Sequence, residues 1–170
     1  MSIQRLNHAV LYVRDAARTA AFYREVLGFR PVAELPGAVF LQAPGSTNDH
    51  DLGVFSIGDG AGPSTAGRSS VGLYHLAWEV DTLDELERLA GVLSAAGALV
   101  GASDHGTSKS LYAKDPDGIE FEVAWLVPAA ALSEADTMYR RPMPLDIAAA
   151  KARYGAASLG GVGVSTPAPA

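Results

Sequence analysis

Apolar residues fall in two rhythms along the chain, and the two rhythms occur twice in the same order. Residues 6–13 form an extended apolar run carrying His8; residues 73–80 form another carrying His75, 67 positions later. An acidic helix-start residue follows each run, Asp15 in the first copy and Asp81 in the second. Helical spacing comes next. Over residues 16–27 it brings Ala17, Ala20, Ala21, Phe22 and Tyr23 near the buried side, with Gly28 as the stop. Over residues 83–96 it aligns Leu83, Leu86, Leu89, Ala90 and Leu93, with Gly97 as the stop. Three short extended segments complete each copy: 29–35, 38–42 and 51–57 in the first, 98–102, 110–114 and 119–126 in the second. The pattern predicts an α+β protein of two tandem βαβββ modules, residues 1–57 and 71–127. Residues 58–70, rich in Gly and Ser, read as a linker. Residues 128–170 follow neither rhythm. There the sequence predicts a short helix over 145–154, packed on the sheet or on a partner subunit, and a disordered tail over 165–170.

Composition removes several classes of chemistry. The chain of 170 residues has no cysteine, which excludes disulfide frameworks, thiolate zinc sites and cysteine nucleophiles. Its formal charge is −6, and its three lysines, Lys109, Lys114 and Lys151, cannot make a basic patch from sequence neighbours. Nucleic acid and anionic membrane surfaces are therefore poor partners. No stretch approaches the ~18 apolar residues of a membrane span, and the first apolar run, with His8, Arg14 and Asp15, does not read as a signal peptide. The expectation is a globular, cytoplasmic protein.

Four histidines occur: His8, His50, His75 and His105. One histidine on an apolar strand is ordinarily a packing residue, but His8 and His75 hold equivalent places in the first strand of a repeat, which presents both toward a common cleft. A carboxylate lies at the end of the second copy. Asp115-Pro116-Asp117-Gly118 is a turn in which Pro116 presets φ and Gly118 supplies a positive φ. A three-residue loop of this kind places Tyr112 opposite Glu122 in the hairpin. The strand after it puts Ile119, Phe121 and Val123 on one face, and Glu120 and Glu122 on the other. Two neutral imidazoles and one carboxylate form the facial triad of non-haem iron(II), and leave three positions open for substrate and dioxygen. The same donors also bind manganese, nickel or zinc. Trp78 and Trp125 read as core, and Lys109 and Lys114 as residues of a solvated face.

These features together resemble the vicinal oxygen chelate superfamily, which includes glyoxalase I, fosfomycin-resistance enzymes, bleomycin-binding proteins and type I extradiol dioxygenases. The resemblance rests on the duplicated module, on His8 and His75, and on residues 115–122, and it covers about residues 3–127. It implies a curved mixed sheet around a metal cleft. It also selects Glu122 over Glu120 as the third ligand, four residues after the turn glycine. Three further features are similar to the extradiol ring-cleaving branch. His50 stands at the start of the last strand of the preceding unit, where that branch keeps an acid–base histidine. Tyr112 lies ten residues before Glu122, where the branch keeps a tyrosine beside the substrate. His105, seven residues before Tyr112, matches another active-site histidine in shorter relatives.

The resemblance thus implies metal ligands His8, His75 and Glu122, catalytic residues His50, Tyr112 and His105, and Fe(II) as cofactor, with Mn, Ni or Zn as alternatives. It implies ring cleavage of a small aromatic diol by dioxygen, in a protein that forms a homo-oligomer. Two other readings share much of this. A glyoxalase-type isomerase needs a fourth ligand from the last strand of the first module, where Val54, Phe55 and Ser56 offer no convincing one. A fosfomycin-type transferase uses the same three ligands but calls for a cationic pocket. A metal-free protein that sequesters small aromatics is the remaining alternative, and an intact triad argues against it.

Overall fold

The computed structural model describes residues 3, 5–66, 69–138 and 141–165. The expected tail lies outside these residues from 166 onward, as do positions 67 and 68 of the expected linker. The chain divides into two compact units. The first takes the chain up to Thr65 and adds Asp115–Ile119; the second takes Ala66–Lys114 and the chain from Glu120 onward.

The first unit contains β1 (Ala9–Val13), α1 (Ala16–Leu27), β2 (Arg30–Leu35), β3 (Ala38–Gln42) and β4 (Leu52–Ser56). Its sheet has the order β1-β4-β3-β2, with β1 parallel to β4 and the other pairs antiparallel. The helix starts where it does because the Asp15 carboxylate accepts from the amides of Ala17 at 2.8 Å and Arg18 at 3.2 Å. It stops at Gly28, whose φ of 74° lets the chain turn out of the helix. Thr19, Ala20, Tyr23 and Val26 pack inward against Leu11, Val13, Val39, Leu41, Leu52 and Val54. Ala17, expected near the buried side, is exposed, because the inward stripe runs through 16, 19, 20, 23 and 26.

Alternation along β1 leaves Val10 52% and Tyr12 72% exposed, while Leu11 and Val13 are buried. The sheet therefore has one helix-covered face and one open face. His8 lies on the open side by the same alternation. It stands one residue before β1, not within the strand as the sequence suggested, and His75 likewise directly precedes β5.

The second unit repeats the plan with β5 (Leu76–Val80), α2 (Leu83–Ala95), β6 (Leu99–Asp104), β7 (Ser108–Lys114) and β8 (Glu120–Leu126). Hydrogen bonding thus gives, among the described residues, one mixed sheet per module, the second ordered β5-β8-β7-β6 and extended beyond β6 by a short strand, β9 (Met143–Pro144). Leu83, Leu86, Leu89 and Leu93 of α2 are buried, as the spacing predicts. Its cap is Thr82, whose hydroxyl accepts from the Glu85 amide at 3.2 Å. Asp81, the expected helix-start residue, instead offers its carbonyl to the Gly160 amide at 2.8 Å.

That last bond belongs to the C-terminal segment, which is built onto the second unit. After a 3-10 turn (Ala129–Ala131) come α3 (Glu134–Thr137), β9 (Met143–Pro144) and α4 (Ile147–Tyr154). Strand β9 pairs with the outer edge of β6. The short helix lies along α2, where Lys151 pairs with Asp84 at 2.6 Å and with Glu87. Its other side meets the sheet as expected, with the Tyr154 ring 5.6 Å from that of Trp125 of β8. Trp125 is fully buried and donates to the Ser158 carbonyl at 3.2 Å, whereas Trp78 is half-buried. Lys114 is exposed as expected, but Lys109 is 2% exposed. Lys109 shares strand parity with buried Leu111 and Ala113, so its stem points into the core side and its charge needs a partner there.

Candidate active site

In the first unit the parallel pairing of β1 with β4 begins at Ala9 opposite Leu52, and Ala9 N donates to the Asp51 carbonyl at 3.0 Å. The two histidines just upstream of these strands therefore become neighbours, with the rings of His8 and His50 4.4 Å apart. The loop that carries His50 is organised by Asp51. Its carboxylate accepts from the Ala43 amide at 2.8 Å, and from Ser46 Oγ and Asn48 Nδ2 at 2.7 Å each. Asn48 Nδ2 also donates to the Asn7 carbonyl at 2.7 Å, tying the loop to the residue beside His8.

Each ring is oriented by its neighbour in sequence. His8 Nδ1 donates to Asn7 Oδ1 at 2.8 Å, and His50 Nδ1 donates to Asp49 Oδ2 at 3.0 Å. With the Nδ1 proton engaged, Nε2 of each neutral ring carries the lone pair, as a metal ligand or a base requires. The His50 hydrogen bond in turn holds the Asp49 carboxyl below its usual range. Phe40 meets His50 edge-on at 5.2 Å and Phe55 at 5.7 Å, so an aromatic floor adjoins the pair.

In the second unit, antiparallel pairing puts Tyr112 opposite Glu122, the register predicted from the turn. The turn has the bonds that the register requires: Gly118 N to Asp115 O and Asp115 N to Ile119 O, each 3.0 Å, with Gly118 at φ 83°. Glu122 is also opposite Ala77 of β5, two residues after His75. His75 Nε2 lies 3.1 Å from Glu122 Oε2, so of the two carboxylates on this face the ring meets Glu122. Tyr112 stands 5.8 Å from the His75 ring, and its hydroxyl is 2.8 Å from His105 Nε2. Burial, and after it the charge of Glu122, push the Tyr112 hydroxyl up to about 12. The group thus keeps its proton at neutral pH and serves as a hydrogen-bond donor.

The structure therefore groups the six candidate residues as His8 with His50, His75 with Glu122, and His105 with Tyr112. Among the described residues, no three His, Asp or Glu side chains are gathered closely enough to hold a metal ion. The His75–Glu122 pair has a spacing that suits two ligands of a divalent ion. Two ligand atoms at right angles, each ~2.1 Å from an ion, lie ~3.0 Å apart, which is the His75–Glu122 separation within 0.1 Å, given 3.1 Å. Among the described residues the other nitrogen of His75, Nδ1, is buried without a hydrogen-bond partner, and Glu122 is the polar contact that orients the ring. Ser56, a possible fourth ligand for an isomerase, has its hydroxyl engaged by the Ala16 amide at 2.8 Å.

Sequence reasoning missed Asn7, Asp49 and Asp51. A signal was present for the first two, since a short polar side chain directly precedes both His8 and His50. Nothing local marks Asp51 as the hub of its loop.

Comparison with known proteins agrees with this arrangement of modules. The sequence model of the Glyoxalase/Bleomycin resistance protein/Dioxygenase superfamily matches residues 5–123. The chain belongs to that superfamily. It is 31% identical over 121 residues to a catechol-2,3-dioxygenase of Bacillus subtilis, a match over 69% of this chain and 40% of that protein, so the chain spans well under half of this relative. Among solved structures it resembles a glyoxylase/bleomycin resistance protein/dioxygenase domain from Frankia sp. at 23% identity and a TM-score of 0.61, covering 72% of this chain and 92% of that one. It also resembles a fosfomycin resistance protein from Listeria monocytogenes, at 21% identity and a TM-score of 0.55, covering 72% and 93%. At these identities the structural likenesses establish the fold. No helix among the described residues is long and apolar enough to cross a membrane.

Proposed function

We propose that the protein is an iron(II)-dependent extradiol dioxygenase that opens the ring of a catecholic substrate beside its two hydroxyls. The observation that carries this reading is His50, set 4.4 Å from His8 with its Nδ1 held by Asp49. An isomerase or transferase that used only the three ligands would have no need of a second imidazole, oriented as a base, against the first. Likeness to a catechol-2,3-dioxygenase supports the same choice.

His8, His75 and Glu122 would hold the metal. Bound Fe(II) supplies the charge that acidifies a coordinated diol and the electronic link between diol and dioxygen. The protein supplies the proton traffic. His50 Nε2 would take the proton of a substrate hydroxyl and, once protonated, serve as the acid that returns it. Tyr112, protonated at neutral pH, donates to a substrate oxygen, and His105 fixes the direction of that hydroxyl. Phe40 and Phe55 give the aromatic ring an apolar floor. The product is a ring-opened semialdehyde.

The test is a titration of the metal-free protein with iron(II) under anaerobic conditions, followed by catechol and then air. One-to-one binding, lost in Glu122→Ala, and a yellow product after oxygen are expected. Binding without a product from any catechol would point to a non-redox role for the metal. Normal turnover by His50→Ala would remove the acid–base assignment.

A further inference from the structure

The superfamily match ends at residue 123, which leaves the C-terminal segment without a role, and Lys109 is buried where the sequence suggests solvent. Both features meet at one turn. His105, Gly106 and Thr107 connect β6 to β7, with His105 N donating to the Ser108 carbonyl at 3.0 Å. Beneath the turn, Lys109 Nζ donates to Asp104 Oδ1 at 2.6 Å and to the Gly106 carbonyl at 2.9 Å. Asp104 Oδ1 also accepts from the Gly106 amide at 2.7 Å.

Against the other side of Gly106 lies Asp136 of α3. A Cβ on Gly106 would stand 2.5 Å from the Asp136 carbonyl, so the two backbones touch with no room for a side chain. Asp136 is itself fixed. Its carboxylate accepts from Ser133 N at 2.9 Å, from Ser133 Oγ at 2.6 Å, and from Arg153 of α4 at 2.9 and 2.5 Å. The Tyr154 ring completes the layer, with the Arg153 guanidinium 4.6 Å and the Lys109 ammonium 5.3 Å from its centre.

We propose that the C-terminal segment is a positioning element of the active site: the Asp136–Arg153 pair buttresses the 105–107 turn and so holds His105 Nε2 against the Tyr112 hydroxyl. This rests on the reading of Tyr112 as the donor to substrate. Pairing between β6 and β7 fixes the strands but not the turn beyond them, where the imidazole begins. The Lys109–Asp104 clamp closes the turn from the strand side, and Asp136 closes it from the other. Arg153 is a positioning residue, since it acts on substrate only through Asp136, Gly106 and His105.

The four histidines provide their own controls. In the full-length, metal-free protein with nitrogen-15 in its imidazoles, Arg153→Ala should move the His105 ring resonances toward those of a freely averaging imidazole. The resonances of His8, His50 and His75 should stay in place, and Arg153→Lys should restore part of the His105 signature. An unchanged His105 in Arg153→Ala would overturn the proposal. So would equal movement of all four rings, since that would mark a general loss of structure. The sample contains neither iron nor catechol, so this outcome is independent of whether the enzyme cleaves catechols. Failure of the catechol assay with the wild-type protein would remove the functional reading and leave the spectrum to decide the positioning role.

Discussion

The two modules share one plan and fix their histidines by different means. In the first, the support is a hub of side chain and loop: Asp51 gathers residues 43–48, and Asn48 reaches the Asn7 carbonyl beside His8. In the second, the support is added chain. Strand β9 extends the sheet at β6, α4 lies along α2, and Asp136 closes on the turn that carries His105. The sheet edges differ accordingly. Strand β2 is largely exposed along its length, and carries Pro31 and a register shift between Pro31 and Ala33. The β6 edge is covered by β9 over Ser103 and Asp104. A duplicated fold thus supplies two equivalent places for histidine, and what surrounds each place sets what the ring does. His8 has a second imidazole beside it, whereas His75 has a carboxylate and a phenol.

The contrast can be broken most severely at Glu122. Glu122→Ala should lower iron(II) affinity by more than the 10–100-fold typical of a residue that only supports a ligand, as read by calorimetric titration. His50→Ala comes next. Iron affinity should stay within about 2-fold, while turnover falls on the order of 10²–10⁴-fold, the usual worth of a positioned acid–base group. If both variants lost iron equally, the division of labour between the two modules would be wrong.

Asp51→Ala sharpens the comparison at the level of support. It leaves the Ala43 amide without its acceptor and should cost about 1–3 kcal/mol in urea unfolding. The His8–His50 ring contact should disappear from cross-relaxation spectra, while the His105–Tyr112 contact persists. The smallest effect is one of pH. Burial pushes the Asp115 carboxyl of the first unit above its usual range. Burial also raises the Asp136 carboxyl of the second, but hydrogen bonds from Ser133 and Arg153 outweigh it and leave that carboxyl depressed. A depressed carboxyl stabilises above its unfolded value and loses that contribution as pH falls through the folded one; a raised carboxyl relieves a cost as it is protonated. Between about pH 4 and pH 2, hydrogen exchange should therefore quicken in α3 and α4 ahead of α1. Asp136→Asn should flatten that dependence.

Much of this was legible in the sequence because it is locally encoded. The Tyr112–Glu122 register follows from Pro116 and Gly118, whose backbone preferences act over four residues. Both helices follow from spacing and stops, with only Ala17 and the Thr82 cap misread. Thr82 caps α2 in place of the expected Asp81, because it is the Thr82 hydroxyl that reaches the Glu85 amide. The supports were not legible, because their partners are remote. Strand parity puts Lys109 inward with Leu111 and Ala113, while its charge argues for solvent; the conflict is resolved by the Asp104 carboxylate and a ring at position 154. Asp51 likewise becomes a hub only once Asn48 and Ala43 fold over it.

The bonds between α1's entrance and the 115–119 turn bear on how the chain is made. Arg14 donates to Asp117 through its guanidinium at 2.6 Å and through its backbone amide at 3.1 Å, and Arg18 reaches the Pro116 carbonyl at 3.1 Å. Asp115–Ile119 therefore completes the unit that begins at the N-terminus. On a ribosome that adds roughly 5–20 residues per second, the first helix emerges several seconds before the turn that receives its arginines. Vectorial synthesis thus cannot finish the first unit before Ala66–Lys114 of the second has been translated. A nascent chain arrested before residue 115 would leave Arg14 open to solvent and trypsin, and one arrested well past residue 119 would protect it through the part-buried bonds to Asp117.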